Sequence, residues 1–92
     1  MIRSFRCKET KELNDGYRSR RFQGIEMAAR TRLARLEAAT SLQDLARIPG
    51  NRLEALKDDR KGQYRIRINQ QWRICFRWTE RGAEDVEIVD YH

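Results

Sequence analysis

At 92 residues, with 39% hydrophobic and 37% charged side chains, the chain describes one soluble domain able to bury a modest core, and excludes a disordered chain. A net charge of +6 points towards polyanionic partners, and the basic residues cluster in the first 22 positions and in the centre. Two distant cysteines, Cys7 and Cys75, without C-x-x-C spacing and with one histidine argue against a metal site; no apolar leader or membrane-length stretch is present, so no membrane contact and a cytoplasmic location are expected, with no cofactor.

Taken in order, Ile2 to Arg6 alternates weakly and predicts a short first strand. Lys8 to Asp15 is helix-tolerant and stops at Gly16. Tyr17 to Phe22, Y-R-S-R-R-F, is a basic segment with aromatic ends, a loop or helical turn that serves either as a solvated connector or as a nucleic-acid contact. Gly24 to Ala39 is the clearest helix: Ile25, Ala28, Ala29, Leu33 and Leu36 recur at helical spacing and form one apolar stripe, with Arg30, Arg35 and Glu37 left for solvent. Thr40 or Ser41 caps a further short helix over Leu42 to Ala46, with Asp44 three residues after Ser41. Pro49-Gly50 fits the central pair of a type II turn. Arg52 to Lys57 reads locally as helix or strand, and its place between a turn and a hairpin predicts strand; Asp58 to Gly62 is a charged turn.

The stretch that organises the chain is Gln63 to Trp78, Q-Y-R-I-R-I-N-Q-Q-W-R-I-C-F-R-W, which alternates with period two around a polar break. With Asn69, Gln70 and Gln71 as the loop, Ile68 meets Trp72, Ile66 meets Ile74 and Tyr64 meets Phe76, an apolar pair every time. The reverse face carries Arg65, Arg67, Arg73, Cys75 and Arg77. After a T-E-R-G-A loop, Asp85 to Asp90 predicts a last strand with Val86 and Ile88 towards the core and Glu87, Val89 and Tyr91 on the other face. Setting Phe76 opposite Ile88 places Arg77 against Glu87 and Arg73 against Tyr91. These elements describe an α+β fold, with helix 24–39 covering Ile66, Ile68, Ile74, Phe76 and Ile88 on one face of a twisted, mostly antiparallel sheet, and Arg65, Arg73 and Arg77 accessible on the other.

Such a face raises RNA cleavage without a metal as one reading, beside that of a terminal Tyr91-His92 that is simply frayed. That reaction needs a base for the 2′-OH, an acid for the leaving 5′-oxygen and fixed cations for the phosphorane. The chain offers Arg73, with Lys57 or Arg60, as cations, and Tyr91 and His92 as proton-transfer groups. Arg60, Lys61, Arg65, Arg67 and Arg77 extend the phosphate-binding face.

The segments P-G-N-R-L-E-A-L-K (49–57), D-R-K-G-Q-Y (59–64), Q-W-R-I-C-F-R-W (71–78) and V-E-I-V-D-Y-H (86–92) resemble the HigB branch of the RelE superfamily of bacterial toxins, and with the N-terminal M-I-R-S-F and the helix the likeness covers nearly the whole chain. The resemblance implies a small domain with helices on one face of the sheet. It also implies a toxin that enters the ribosomal A site and cuts mRNA there, paired with an antitoxin that is a helix-turn-helix DNA-binding protein. Carried over residue by residue, it gives Arg73 the scissile phosphate, Lys57 the lysine of the L-K step, and Asp90, Tyr91 and His92 the terminal triplet. Two positions depart from the pattern: Glu54 stands where relatives can carry histidine, and Asp58 where they often read glycine. Glu54 is then either the 2′-OH base or an ion-pair partner of Lys57 or Arg73, the second being favoured because surrounding cations make a carboxylate a weak proton acceptor. The antitoxin either covers the Arg73–Tyr91 surface or binds elsewhere and blocks A-site entry by bulk, and the resemblance favours the latter.

Two other functions fit the same face. A noncatalytic RNA- or ribosome-binding inhibitor needs only the cations. A ParE-type toxin shares the fold but acts on DNA gyrase, and has no need of proton donors beside an arginine strand.

Overall fold

The computed structural model describes residues 1–90; the positions of Tyr91 and His92, expected to supply proton transfer, lie outside the described residues. Three helices, α1 (Lys8–Asn14), α2 (Glu26–Ala38) and α3 (Leu42–Ala46), precede four strands, β1 (Glu54–Ala55), β2 (Gln63–Arg67), β3 (Trp72–Thr79) and β4 (Gly82–Asp90). A 3₁₀ turn over Asp58–Arg60 links β1 to β2. The strands lie in the order β1-β2-β3-β4, each antiparallel to the next, so the fold is α+β as expected.

The central hairpin has the expected register. Tyr64 pairs with Phe76 and Ile66 with Ile74, and the Ile68 amide donates to the Trp72 carbonyl at 3.0 Å. The loop is closed by Asn69, whose Oδ1 accepts from the amides of Gln71 (2.8 Å) and Trp72 (2.7 Å). Its short polar side chain supplies the turn that the sequence only marks as a polar break.

The β3–β4 register differs from the expected one by two residues over Trp72–Cys75 and by three beyond the bulge at Arg77–Thr79. Thr79 pairs with Gly82 and Trp78 with Ala83, so only Glu80 and Arg81 form the turn, and most of the expected loop is strand. Further along, a bulge falls between Cys75 and Arg77, where Asp85 adopts φ 53°. An aspartate tolerates that left-handed conformation better than most residues, and one extra residue on β4 is absorbed there. Arg73 therefore lies opposite Val89, not Tyr91, and Arg77 opposite Glu84, not Glu87. The two-residue slip leaves Arg73, Cys75, Glu87 and Val89 on their expected face, because the period of a strand is two, and the bulge absorbs the odd residue of the three-residue shift beyond it.

The N-terminal segment is not a regular strand. It touches the β4 edge through two isolated parallel bridges, Ile2 with Ala83 and Phe5 with Val86. Between them Ser4 is occupied by the bulge, accepting from the Asp85 amide with its Oγ (2.9 Å) and from the Val86 amide with its carbonyl (3.1 Å). Gly82 makes this docking possible: its φ is 126°, and a Cβ there would stand 2.2 Å from the Met1 carbonyl oxygen. Gly82→Ala is expected to cost at least about 1–3 kcal/mol from backbone strain alone, read as a lower urea midpoint at unchanged slope. A midpoint equal to wild type would show that the N-terminal segment is not held on β4.

The core lies between the helices and the apolar face of the sheet. Leu33 and Leu36 of α2 join Leu13, Phe22, Leu45, Ile66, Ile74, Phe76 and Ile88 in one buried cluster. Ala28, expected in the stripe, is exposed. Arg30, expected in solvent, instead braces the α1–α2 connection by donating from Nε to the Leu13 carbonyl (3.0 Å) and from Nη2 to the Tyr17 carbonyl (2.8 Å). Thr10 on α1 is fully buried and accepts the Ile88 amide at 3.1 Å, tying that helix to β4. α3 is capped as predicted: Ser41 Oγ accepts the Asp44 amide (3.2 Å) and Asp44 Oδ2 accepts the Thr40 amide (3.0 Å). The Pro49-Gly50 turn is closed by the Asn51 amide on the Ile48 carbonyl (3.2 Å), with Gly50 at φ 87°.

Candidate functional site

Strand pairing sets one rung of side chains across all four strands on the face away from the helices: Glu54 opposite Arg65, Arg65 opposite Cys75, Cys75 opposite Glu87. The next rung runs Arg67, Arg73, Val89. Where the 3₁₀ turn approaches these rungs, Leu56, Arg60, Arg65, Arg73, Cys75, Val89 and Asp90 line a hollow of about 220 Å³. Its floor is apolar, from Leu56, Cys75 and Val89, and three guanidinium groups border it.

Each of these cations is held by the rest of the face. Arg65 Nη2 lies 2.9 Å from Glu54 Oε2. Arg60 Nη1 lies 3.5 Å from Glu87 Oε1, which is also 4.0 Å from Arg6 Nη1. The Glu87 side chain is only 16% exposed, so this carboxylate pins the 3₁₀ turn down onto the sheet. Arg73 Nη1 donates to the carbonyls of Asn69 and, at 3.2 Å, Trp72, which fixes it against the hairpin loop. Burial pushes the Cys75 thiol up, outweighing the opposing pull of Arg60, Arg65 and Arg73. At neutral pH Cys75 is therefore an uncharged thiol, a floor residue and not a nucleophile.

The structure brings together Arg60, Arg65, Arg73 and Asp90 of the residues predicted from sequence, and joins Glu54 to them through Arg65. Arg67 lies beside Arg73 across the β2–β3 pair. Lys57 and Lys61 are exposed on either side of the 3₁₀ turn and do not line the hollow. Arg77 stands one rung away, 3.8 Å from Asp85. Asp90 pairs with Trp72, so strand parity turns its side chain to the helix side, where it accepts from Gln71 Nε2 at 3.2 Å. Glu54 is an ion-pair partner, as favoured, but of Arg65 and not of Lys57 or Arg73. Glu87 was missed as the anchor of Arg60, because the expected register gave it to Arg77. The glycine at 82 was the signal for a tighter turn that would have moved it.

Fixed guanidinium groups around a small apolar hollow suit a phosphodiester, since they give charge-assisted donors at set positions and stabilise negative charge that grows during reaction. Among the described residues, no aromatic side chain lines the hollow to give a stacking platform for a base.

Comparison with known proteins gives a consistent family. The model of the HigB-like toxins, described as RelE-like toxins of type II toxin–antitoxin system HigB, matches residues 4–92. Toxin HigB-1 of Vibrio cholerae serotype O1 is 43% identical over 56 residues, a stretch covering 61% of this chain and 59% of that protein.

Proposed function

Since the chain belongs to the HigB-like, RelE-like toxins of type II toxin–antitoxin systems, we propose that it is a toxin that cuts mRNA in the ribosomal A site as a metal-independent endoribonuclease. The observation that carries this reading is the hollow on the helix-free face, where Arg60, Arg65 and Arg73 converge. In the reaction the 2′-oxygen attacks the scissile phosphorus and the bond to the 5′-oxygen breaks, leaving a 2′,3′-cyclic phosphate and a 5′-hydroxyl. A base takes the 2′-OH proton, and an acid returns one to the 5′-oxygen. Arg73 grips the scissile phosphate and opposes the charge of the phosphorane, with Arg60 and Arg65 flanking it. Lys57, Lys61, Arg67 and Arg77 attract the RNA from around the rim. The Tyr91–His92 end supplies proton transfer, following directly on Asp90 of β4.

Seven Lys and Arg residues lie between Arg60 and Arg81. RNA binding is expected to weaken steeply with salt, by a slope of about 0.7 per phosphate contact on a logarithmic plot. With few aromatic platforms for splayed bases on the basic face, free RNA is expected to be a poor substrate, and the ribosome supplies the positioning. Primer extension on a defined mRNA, with and without ribosomes, tests both points. Cuts are expected only with ribosomes; arrest without a cut would favour a noncatalytic inhibitor, and efficient cutting of naked mRNA would overturn the ribosome's role.

A cognate antitoxin follows from the family, and we propose a helix-turn-helix DNA-binding protein that leaves Arg73 uncovered and blocks A-site entry by bulk. Among the described residues no helix is long and apolar enough to cross a membrane. The proposed substrate places the toxin in the cytoplasm.

A further inference from the structure

The basic connector between α1 and α2 is not used by the mechanism above, yet it is anchored at both ends. Phe22 is fully buried and meets Trp72 edge to face with ring centroids 5.5 Å apart. Arg30 holds the other end through the Tyr17 carbonyl at 2.8 Å. Between these anchors Tyr17 is 66% exposed, and Arg18 and Arg20 are exposed on either side of Ser19. Arg21 is paired with Glu9 at 3.2 Å, whereas Arg18 and Arg20 form no salt bridge with a carboxylate among the described residues. Phe22 and the Tyr17 carbonyl serve the fold, whereas the exposed Arg18, Arg20 and Tyr17 side chains form none of its described ion pairs or core contacts.

We propose that this loop is a second RNA-contacting surface, in which Arg18 and Arg20 bind the phosphodiester backbone and Tyr17 offers a ring for an unstacked base. The inference rests on the ribosome-directed function proposed above. Its position supports it: Phe22 packs on Trp72, and Trp72 pairs with Asp90, so the loop stands at the end of the sheet where β4 leaves the Arg73 hollow. RNA lying across Arg73 and continuing past that end meets Arg18 and Arg20 next. The chemistry also favours RNA over a protein. The hollow beside the loop, about 360 Å³, is lined by Arg18, Ser19, Arg20, Gln23 and Glu26, with no aliphatic or aromatic side chain for a protein partner to bury against. Glu26 there is turned inward, accepting the Ser19 amide at 3.3 Å, and shapes the loop. Guanidinium groups and an exposed ring are what single-stranded RNA requires.

The test measures binding of the full chain and its R18A/R20A variant to ribosomes across a salt series, on vacant ribosomes and on ribosomes programmed with mRNA. The variant is expected to bind roughly 10-fold or more weakly, with the logarithmic salt slope reduced by about 1.4 for two lost phosphate contacts. R18K/R20K should recover most of the binding, and the single-turnover cutting rate at saturating toxin should be unchanged, since neither arginine lines the hollow. Weakening on vacant ribosomes assigns the phosphates to ribosomal RNA; weakening only on programmed ribosomes assigns them to mRNA; either supports the surface. Wild-type affinity and salt slope in R18A/R20A would overturn it, as would loss of antitoxin binding with ribosome binding intact, which would make the loop a protein contact. Failure of the wild-type chain to bind ribosomes at all would overturn the function itself, an outcome visible before the variant is compared.

Discussion

Arg73→Ala is expected to slow single-turnover cutting on mRNA-programmed ribosomes by roughly 10²–10³, the usual loss for one preorganised electrostatic group. The argument begins with position. Arg73 is on β3, which pairs on both sides, so its backbone is fixed by β2 and β4 together. Its guanidinium is then aimed by the carbonyls of Asn69 and Trp72, which leaves it little freedom to lose on meeting a phosphate. Charge gathers on the phosphoryl oxygens as the phosphorane forms, so the loss should fall mainly on the rate at saturation and less on ribosome affinity. Arg73→Lys keeps the charge but not the planar fork, and should recover only part of the rate. Arg67, opposite Arg73 on β2 and outside the hollow, serves as the comparison. Its replacement by Ala should act mostly through affinity and its salt dependence. Cutting by Arg73→Ala within about threefold of wild type would remove Arg73 from the transition state.

Much of this arrangement is legible in the residues, and the parts that are not have physical reasons. The facing of the hairpin follows from alternation, because a one-residue slip would set Tyr64, Ile66, Ile74 and Phe76 against arginines, and the short polar loop fixes which apolar pairs meet. The α3 cap follows from Ser41 and Asp44 at the right spacing. The β3–β4 register is a different problem: it depends on one glycine conformation and one left-handed aspartate, and neither leaves a mark in a hydrophobic pattern. Matching Arg77 to Glu87 looked persuasive on charge, yet the bulge at Asp85 gives each of them another partner: Asp85 for Arg77 and Arg60 for Glu87. Facing survived the error where partnership did not. Alternation therefore gives the face of Arg73 but not the partner of Glu87, and helical spacing assigns Arg30 to solvent although its guanidinium braces two carbonyls.

Ending the chain at Tyr91 is expected to slow cutting by about 10²–10⁴, the contribution of a positioned acid or base. Tyr91 and His92 lie outside the described residues, so the case rests on what the described part of the site can and cannot do. Glu54 and Glu87 are the two carboxylates on the central rung, and each is committed to a guanidinium, Arg65 at 2.9 Å and Arg60 at 3.5 Å. Protonating either would give up an ion pair during the step in which the arginines must hold a phosphate. The Cys75 thiol is pushed up by burial and is neutral at working pH. Arginines do not give up protons. The proposal therefore gives proton transfer to Tyr91–His92, since a histidine side chain, ordinarily titrating near 6.5, can act in either direction. Its removal should abolish whichever limb of the pH–rate profile it controls, while Tm and ribosome affinity stay near wild type. Glu54→Gln is the matched control: its side chain is 56% exposed, so the pair with Arg65 is a surface interaction worth at most about 1 kcal/mol, and the rate should change by less than about tenfold. A truncated chain that cuts at the wild-type rate would make His92 a bystander. A folded Glu54→Gln protein that loses several orders of magnitude would instead make Glu54 the base, with Arg65 its orienting partner.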